Sequence, residues 1–142
     1  MNEEEVGAII VDQALALHRE LGPGLLESVY EAVLARDLQD RGLRVSRQMS
    51  IPIRLRGLEF EEGFRADLLV DGRVIVELKS VEQTNNAHRK QVLTYLKLSG
   101  LRLGYLLNFG AALMKEGITR VVNGLPEPDD RSSWRTSHRC RT

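Results

Sequence analysis

Cysteine is nearly absent: Cys140 stands alone in 142 residues. No internal disulfide can form, and a zinc-type thiolate cluster is excluded. An excess of charge is lacking too. Twenty Lys and Arg balance 20 Asp and Glu, so no global field gathers polyanions. No apolar window approaches the about 20 residues that a membrane-spanning helix needs. The opening "MNEEEVGAII" is acidic, without a basic n-region or a long apolar run, so no secretion signal is expected. These absences point to a cytoplasmic protein that needs no membrane. The length suits one domain with a proper core.

The apolar residues that are present fall into clear periods. Val6, Ile9, Ile10, Ala14, Leu17 and Leu21 predict an amphipathic helix over 3–20. "LGPGLL" breaks it, and Leu26, Val29, Tyr30, Val33, Leu34 and Leu38 mark a second helix that Gly42 ends. Residues 44–70 alternate or run β-branched, with a turn at Gly57. Asp71-Gly72 signals a hairpin into "RVIVELKS". Thr84 is the expected cap of a helix over 85–99 that stops at Gly100. "LRLGYLLNF" and "ITRVV" read as two more strands. The order α-α-β-β-β-α-β-β predicts a mixed sheet with packed helices, in the α/β or α+β class. The domain covers 1–125. Residues 126–142 lose apolar periodicity and read as a disordered polar tail, with Trp134 and its arginines a weaker candidate nucleic-acid contact.

The chemistry starts at "RVIVELKS". Glu77 and Lys79 are two apart on a strand, hence on one face. Asp67, on the preceding strand, can converge with Glu77. Two carboxylates at one spot repel unless a cation lies between them. Mg²⁺ suits such a pair because it takes few carboxylates and keeps several waters. A lysine alongside can orient or activate the attacking water, or shield charge developing on a phosphate. The spacing D-x9-E-x-K by itself fits an exposed strand face with a Glu–Lys pair better than a metal site. Glu27 borders the apolar stripe of the second helix. Gln91 and Tyr95 stand four apart on the helix after Lys79, with His88 three residues before Gln91. Tyr30 and Tyr95 also read as core tyrosines, Gly24 as a turn residue, and the arginines at 47, 54, 56 and 65 either as phosphate contacts or as solvated strand residues.

Gly24-x-x-Glu27-x-x-Tyr30 in "GLLESVY" resembles the signature of the GxxExxY protein family, within the PD-(D/E)XK nuclease superfamily. The resemblance extends over about residues 4–124 and includes "FRADLLVDGRVIVELKS", "HRKQVLTYLK" and "LLNFG". Gln91-x-x-x-Tyr95 is similar to an extra motif of the RecB-type branch. The resemblance implies a restriction-endonuclease-like αβββαβ core with an extra N-terminal helix. It implies Asp67, Glu77, the backbone carbonyl of Leu78 and Glu27 as metal ligands for Mg²⁺ or Mn²⁺. Lys79 would be the catalytic lysine, and Gln91 and Tyr95 would position substrate or water. The implied activity is phosphodiester hydrolysis, with DNA ahead of RNA as the partner. A homodimer or a protein partner stays open. So do a non-catalytic binding module on the same fold and a small-molecule phosphoesterase.

Strand parity adds a sharp expectation. A plain two-residue turn at Asp71-Gly72 would put Asp67 and Glu77 on opposite faces. A shared metal therefore requires a three-residue loop, with Gly72 left-handed and Leu69 opposite Arg73, or a bulge near Asp67. Gln91 and Tyr95 are expected to point at the carboxylates, with His88 more exposed at the rim.

Overall fold

The structure is a computed structural model and describes residues 1–126 and the backbone of residues 139–140. Helix α1 (Glu3–Leu21) and helix α2 (Glu27–Asp40) precede three strands: β1 (Val45–Leu55), β2 (Leu58–Val70) and β3 (Val74–Lys79). Helix α3 (Asn86–Ser99), β4 (Leu103–Asn108), the single turn α4 (Met114–Gly117) and β5 (Ile118–Val122) follow, with a two-residue strand β6 (Arg139–Cys140). The strands lie side by side in sequence order. All neighbours are antiparallel except β3–β4 and β5–β6. From α2 to β4 the order is αβββαβ, with α1 as the added helix. The stretch read as a disordered tail lies outside the described residues apart from Pro126 and the β6 pair.

Each face of the sheet buries one layer of helix. Val6, Ile10, Ala14 and Leu17 of α1 and Tyr30, Leu34 and Leu38 of α2 pack on Leu68, Val70, Val74, Val76 and Leu78. Val92, Leu93 and Leu96 of α3 pack on the opposite face, against Ile75, Leu106, Ala66 and Ile51. Strand β3 is therefore apolar on both faces, as expected of a central strand with one parallel neighbour. Helix α3 comes close to the sheet at Gly104, where a Cβ would lie 2.9 Å from Val92 Cγ1.

The cap of α3 is Asn85 and not Thr84. Asn85 Oδ1 accepts the His88 N–H at 3.2 Å, and His88 Nδ1 accepts the Asn85 N–H at 3.3 Å. Both Thr84 and Asn85 can cap, and the reciprocal bond from His88 selects Asn85. The turn α4 has too few residues to leave a periodic signal.

The β2–β3 connection has the odd parity that a shared site needs. Val70 pairs with Val74, so the loop is Asp71, Gly72 and Arg73. The Arg73 N–H donates to the Val70 carbonyl at 3.0 Å. Asp71 and Gly72 both have positive φ, 53° and 66°, as a primed turn requires. The register is displaced from the expected Leu69–Arg73 pair because Asp71 is tied to strand β1's entry. Its N–H donates to the Arg44 carbonyl at 2.8 Å, and its Oδ1 accepts the Arg44 N–H at 2.8 Å. The ladder ends at Leu68–Val76, and Asp67 and Glu77 are the next residue on each strand.

Candidate functional site

The site forms where β2 parts from β3. Their ladder stops at Leu68–Val76, and Asp67 and Glu77 are the first residues past it. Strand β2 is irregular here. Ala66 packs on the α3 side and Leu68 on the α1–α2 side, although residues two apart on a regular strand share a face. The β1–β2 ladder also skips Gln48 and Asp67, between Arg47–Leu68 and Met49–Ala66. Gln48 has φ of 50°.

This break leaves side chains to take up the backbone donors that the ladder drops. The Leu78 N–H donates to Asp67 Oδ2 at 2.8 Å, and the Asp67 N–H donates to Glu77 Oε1 at 3.2 Å. Gln48 Nε2 donates to Asp67 Oδ1 at 3.2 Å and to Glu31 Oε1 at 2.7 Å. Arg47 Nε donates to Glu31 Oε2 at 3.0 Å. Along a strand, successive peptide groups face alternate edges. The Lys79 carbonyl accepts Phe109 N–H on the β4 side at 2.8 Å. The Leu78 carbonyl therefore points the other way, into the gap that holds the Asp67 carboxylate.

Electrostatics follow from this crowding. Glu77 is 8% exposed. Burial, and then the neighbouring Asp67 charge, push its carboxyl up to about 8, against a smaller downward pull from Lys79. Tyr95 is half-buried, stacked on Phe64 with ring centroids 3.9 Å apart. Burial, and then the charges of Glu77 and Asp67, oppose ionisation of its hydroxyl. Lys79 is half-buried on the same strand face as Glu77.

The helix residues divide. Gln91 is exposed, whereas His88 is half-buried and engaged in the α3 cap. This reverses the expected ranking of the two. Glu27 is exposed on the first turn of α2, in place of the expected border of the buried stripe. The buried carboxylate of that helix is Glu31, one turn on and 6% exposed. Tyr30 is fully buried. Its ring stacks on Phe109 at 4.5 Å, and its hydroxyl donates to the Gly22 carbonyl at 2.6 Å while accepting the Leu25 N–H at 3.1 Å. Ser80 Oγ donates to the Leu25 carbonyl at 2.7 Å. The Gly24-to-Tyr30 motif thus anchors the turn against the residue that follows Lys79.

Sequence reasoning missed Glu31 and Gln48. Glu31 did carry a signal, lying four residues after Glu27 and so on the same helical side. Gln48 carried none, since its role depends on a local break in the ladder.

A family model for the PD-(D/E)XK nuclease superfamily matches residues 4–121. The chain belongs to the PD-(D/E)XK nuclease superfamily. The match spans every element from α1 into β5, so the αβββαβ order and the Asp67–Glu77–Lys79 constellation both fall inside it. No curated protein and no solved structure matches the chain. Among the described residues of this PD-(D/E)XK chain, no group of three or more His, Cys, Asp or Glu side chains is arranged to hold a metal. No helix among them is long and apolar enough to cross a membrane. A shallow cleft of about 310 Å³ opens on the α3 side, lined by Thr84, Asn85, Asn86, Arg89, Leu106 and Thr119. Leu106 is the register partner of Glu77, and Thr119 that of Leu106, so the cleft floor continues the row that starts at Glu77.

Proposed function

We propose that the chain hydrolyses phosphodiester bonds of nucleic acid, DNA ahead of RNA, with a divalent cation at Asp67 and Glu77. The observation that carries this reading is the buried Glu77 carboxyl set against the half-buried Asp67 carboxylate. Glu77 pushed up to about 8 beside Asp67 is a charge arrangement that a cation relieves. Asp67, Glu77 and the Leu78 carbonyl offer oxygen ligands in one gap. So few protein ligands suit Mg²⁺ or Mn²⁺, which fill the rest of their shell with water. When bound, the ion supplies Lewis-acid polarisation of the phosphate and a more acidic water.

The residues of the chain then have separable tasks. Lys79 places its ammonium on the face where charge develops on the phosphate oxygens. Tyr95 presents a hydroxyl that stays protonated, because burial and the two carboxylates oppose its ionisation. It can therefore donate a hydrogen bond to a phosphate oxygen or to the attacking water. The exposed positions of Gln91 and Glu27 suit contact with an incoming strand at the rim better than ligation at the centre. The cleft beside Leu106 and Thr119 can seat a nucleotide flanking the scissile bond.

A second reading, a non-catalytic module on the same fold, is favoured by the exposure of Gln91 and Glu27, two residues that the resemblance would draw into the catalytic centre. One assay separates the two. Purified protein with Mn²⁺ is incubated with linear, circular, single-stranded and duplex DNA, alongside Lys79→Ala. Cleavage by the parent, with a loss of 100-fold or more in Lys79→Ala and unchanged Mn²⁺ affinity, is the expected result. Equal cleavage by both proteins removes Lys79 from the chemistry, and no cleavage by the parent while it binds DNA favours the module.

A further inference from the structure

We propose that Gln48 is a positioning residue of this site, holding the Asp67 carboxylate in the plane that lets it share a cation with Glu77. The inference rests on the metal-site reading above. Both side-chain neighbours of the Gln48 amide, Glu31 Oε1 at 2.7 Å and Asp67 Oδ1 at 3.2 Å, are carboxylate oxygens. Carboxylates only accept, so the amide must turn its NH₂ to both, and its two N–H groups are divided between them. Glu31 cannot rotate away, because its other oxygen is held by Arg47 Nε at 3.0 Å and its side chain is buried. Asp67 is then fixed at both oxygens, by Gln48 at Oδ1 and by the Leu78 N–H at Oδ2. A carboxylate pinned at each oxygen cannot spin about its terminal torsion, so its remaining lone pairs keep one direction.

The backbone supports the same assignment. Gln48 adopts φ of 50° at the point where the β1–β2 ladder skips a pair. A non-glycine residue in that conformation is uncommon, and such strain concentrates at functional sites. An extended Gln48 would continue the ladder and send its amide to one face of the sheet. The left-handed turn instead places it between a carboxylate from α2 and one from β2.

The test compares two variants that each remove one donor from Glu31. Gln48→Met keeps the length of the side chain and removes the amide from both carboxylates. Arg47→Met removes the other Glu31 donor and leaves Asp67 untouched. Mn²⁺ alone is titrated into each protein by calorimetry, thermal midpoints are recorded, and the electron paramagnetic resonance of bound Mn²⁺ is taken. Gln48→Met is expected to bind Mn²⁺ about 10-fold or more weakly, with an altered spectrum. Arg47→Met should change affinity by no more than about 2-fold at a similar loss of thermal midpoint, since it acts only through Glu31. In the DNA assay, raising Mn²⁺ should restore the rate of Gln48→Met, which a merely misfolded fraction would not allow. Unchanged affinity in Gln48→Met, or equal losses in both variants, overturns the positioning role and leaves the metal site standing. A parent protein that binds no Mn²⁺ overturns the metal site itself, and the positioning role with it.

Discussion

A carboxyl group that stays protonated near neutral pH couples folding to proton binding. Glu77 rises from an ordinary 4.5 to about 8 in the folded chain, by burial first and Asp67 second. Below about 4.5 both folded and unfolded chains carry that proton, and the group contributes no pH dependence. Between about 4.5 and about 8 only the folded chain carries it. Metal-free protein therefore loses stability as pH rises through that window, by up to about 1.4 kcal/mol per pH unit from this group. Chemical denaturation at a series of pH values should show the slope, and Glu77→Gln should flatten it. A parent and variant with parallel profiles would mean that Glu77 ionises normally. Metal binding has the opposite dependence: the ion displaces the proton, so Mn²⁺ affinity should rise with pH through the same window. Asp67→Asn should bind Mn²⁺ at least about 10-fold more weakly while keeping its fold, since it removes the charge at nearly constant shape.

The Asp71–Arg73 loop decides which face the carboxylates share. Gly72 has φ of 66°, and a Cβ there would meet open space. Gly72→Val should thus destabilise through backbone strain alone, by about 1–2 kcal/mol. Equilibrium denaturation with Gly72→Asn as the tolerant control checks this, because asparagine accepts the left-handed region. How much of this was legible in the sequence differs by residue. The parity of the hairpin was readable, because side chains on strands alternate strictly and a shared cation needs one face. The register was not, because Asp71 is held by the backbone of Arg44, and such a tertiary bond leaves no local pattern. The helix and strand periods of α1, α2, β3 and α3 were readable from apolar spacing. The burial of Glu31 over Glu27 was not. Either acid fits the helix, and only the neighbouring Arg47 and Gln48 make burial of Glu31 tolerable.

Across the whole molecule, ion pairs fasten α1 to strand β5 and to the residue that leads into β4. Arg102 contacts Glu3 through two nitrogens at 2.9 and 3.1 Å. Arg120, 8% exposed, donates to both oxygens of Glu4 at 2.7 and 2.8 Å. Glu4→Gln leaves a mostly buried guanidinium without its countercharge and should cost about 2–4 kcal/mol. Arg120→Met, which removes the charge and keeps an apolar stem, should cost less. A thermal series on the two variants reads the difference, and equal losses would mean that the pair acts by contact and not by charge.

The sheet's order has a consequence for how the chain reaches its native state. Strands β1, β2 and β3 follow one another through short loops and pair as a meander, so Asp67 meets Glu77 across a separation of 10 residues. The Glu4–Arg120 contact closes a separation of 116 residues. Short loops close at small entropic cost and long ones do so late. The carboxylate pair is therefore expected to assemble early, with two acids brought together before α1 seals the fold. Conservative substitutions such as Val74→Ala in β3 should slow refolding, while Ile10→Val in α1 should mainly speed unfolding. Cation added at the start of refolding should accelerate the reaction and not only stabilise its end point.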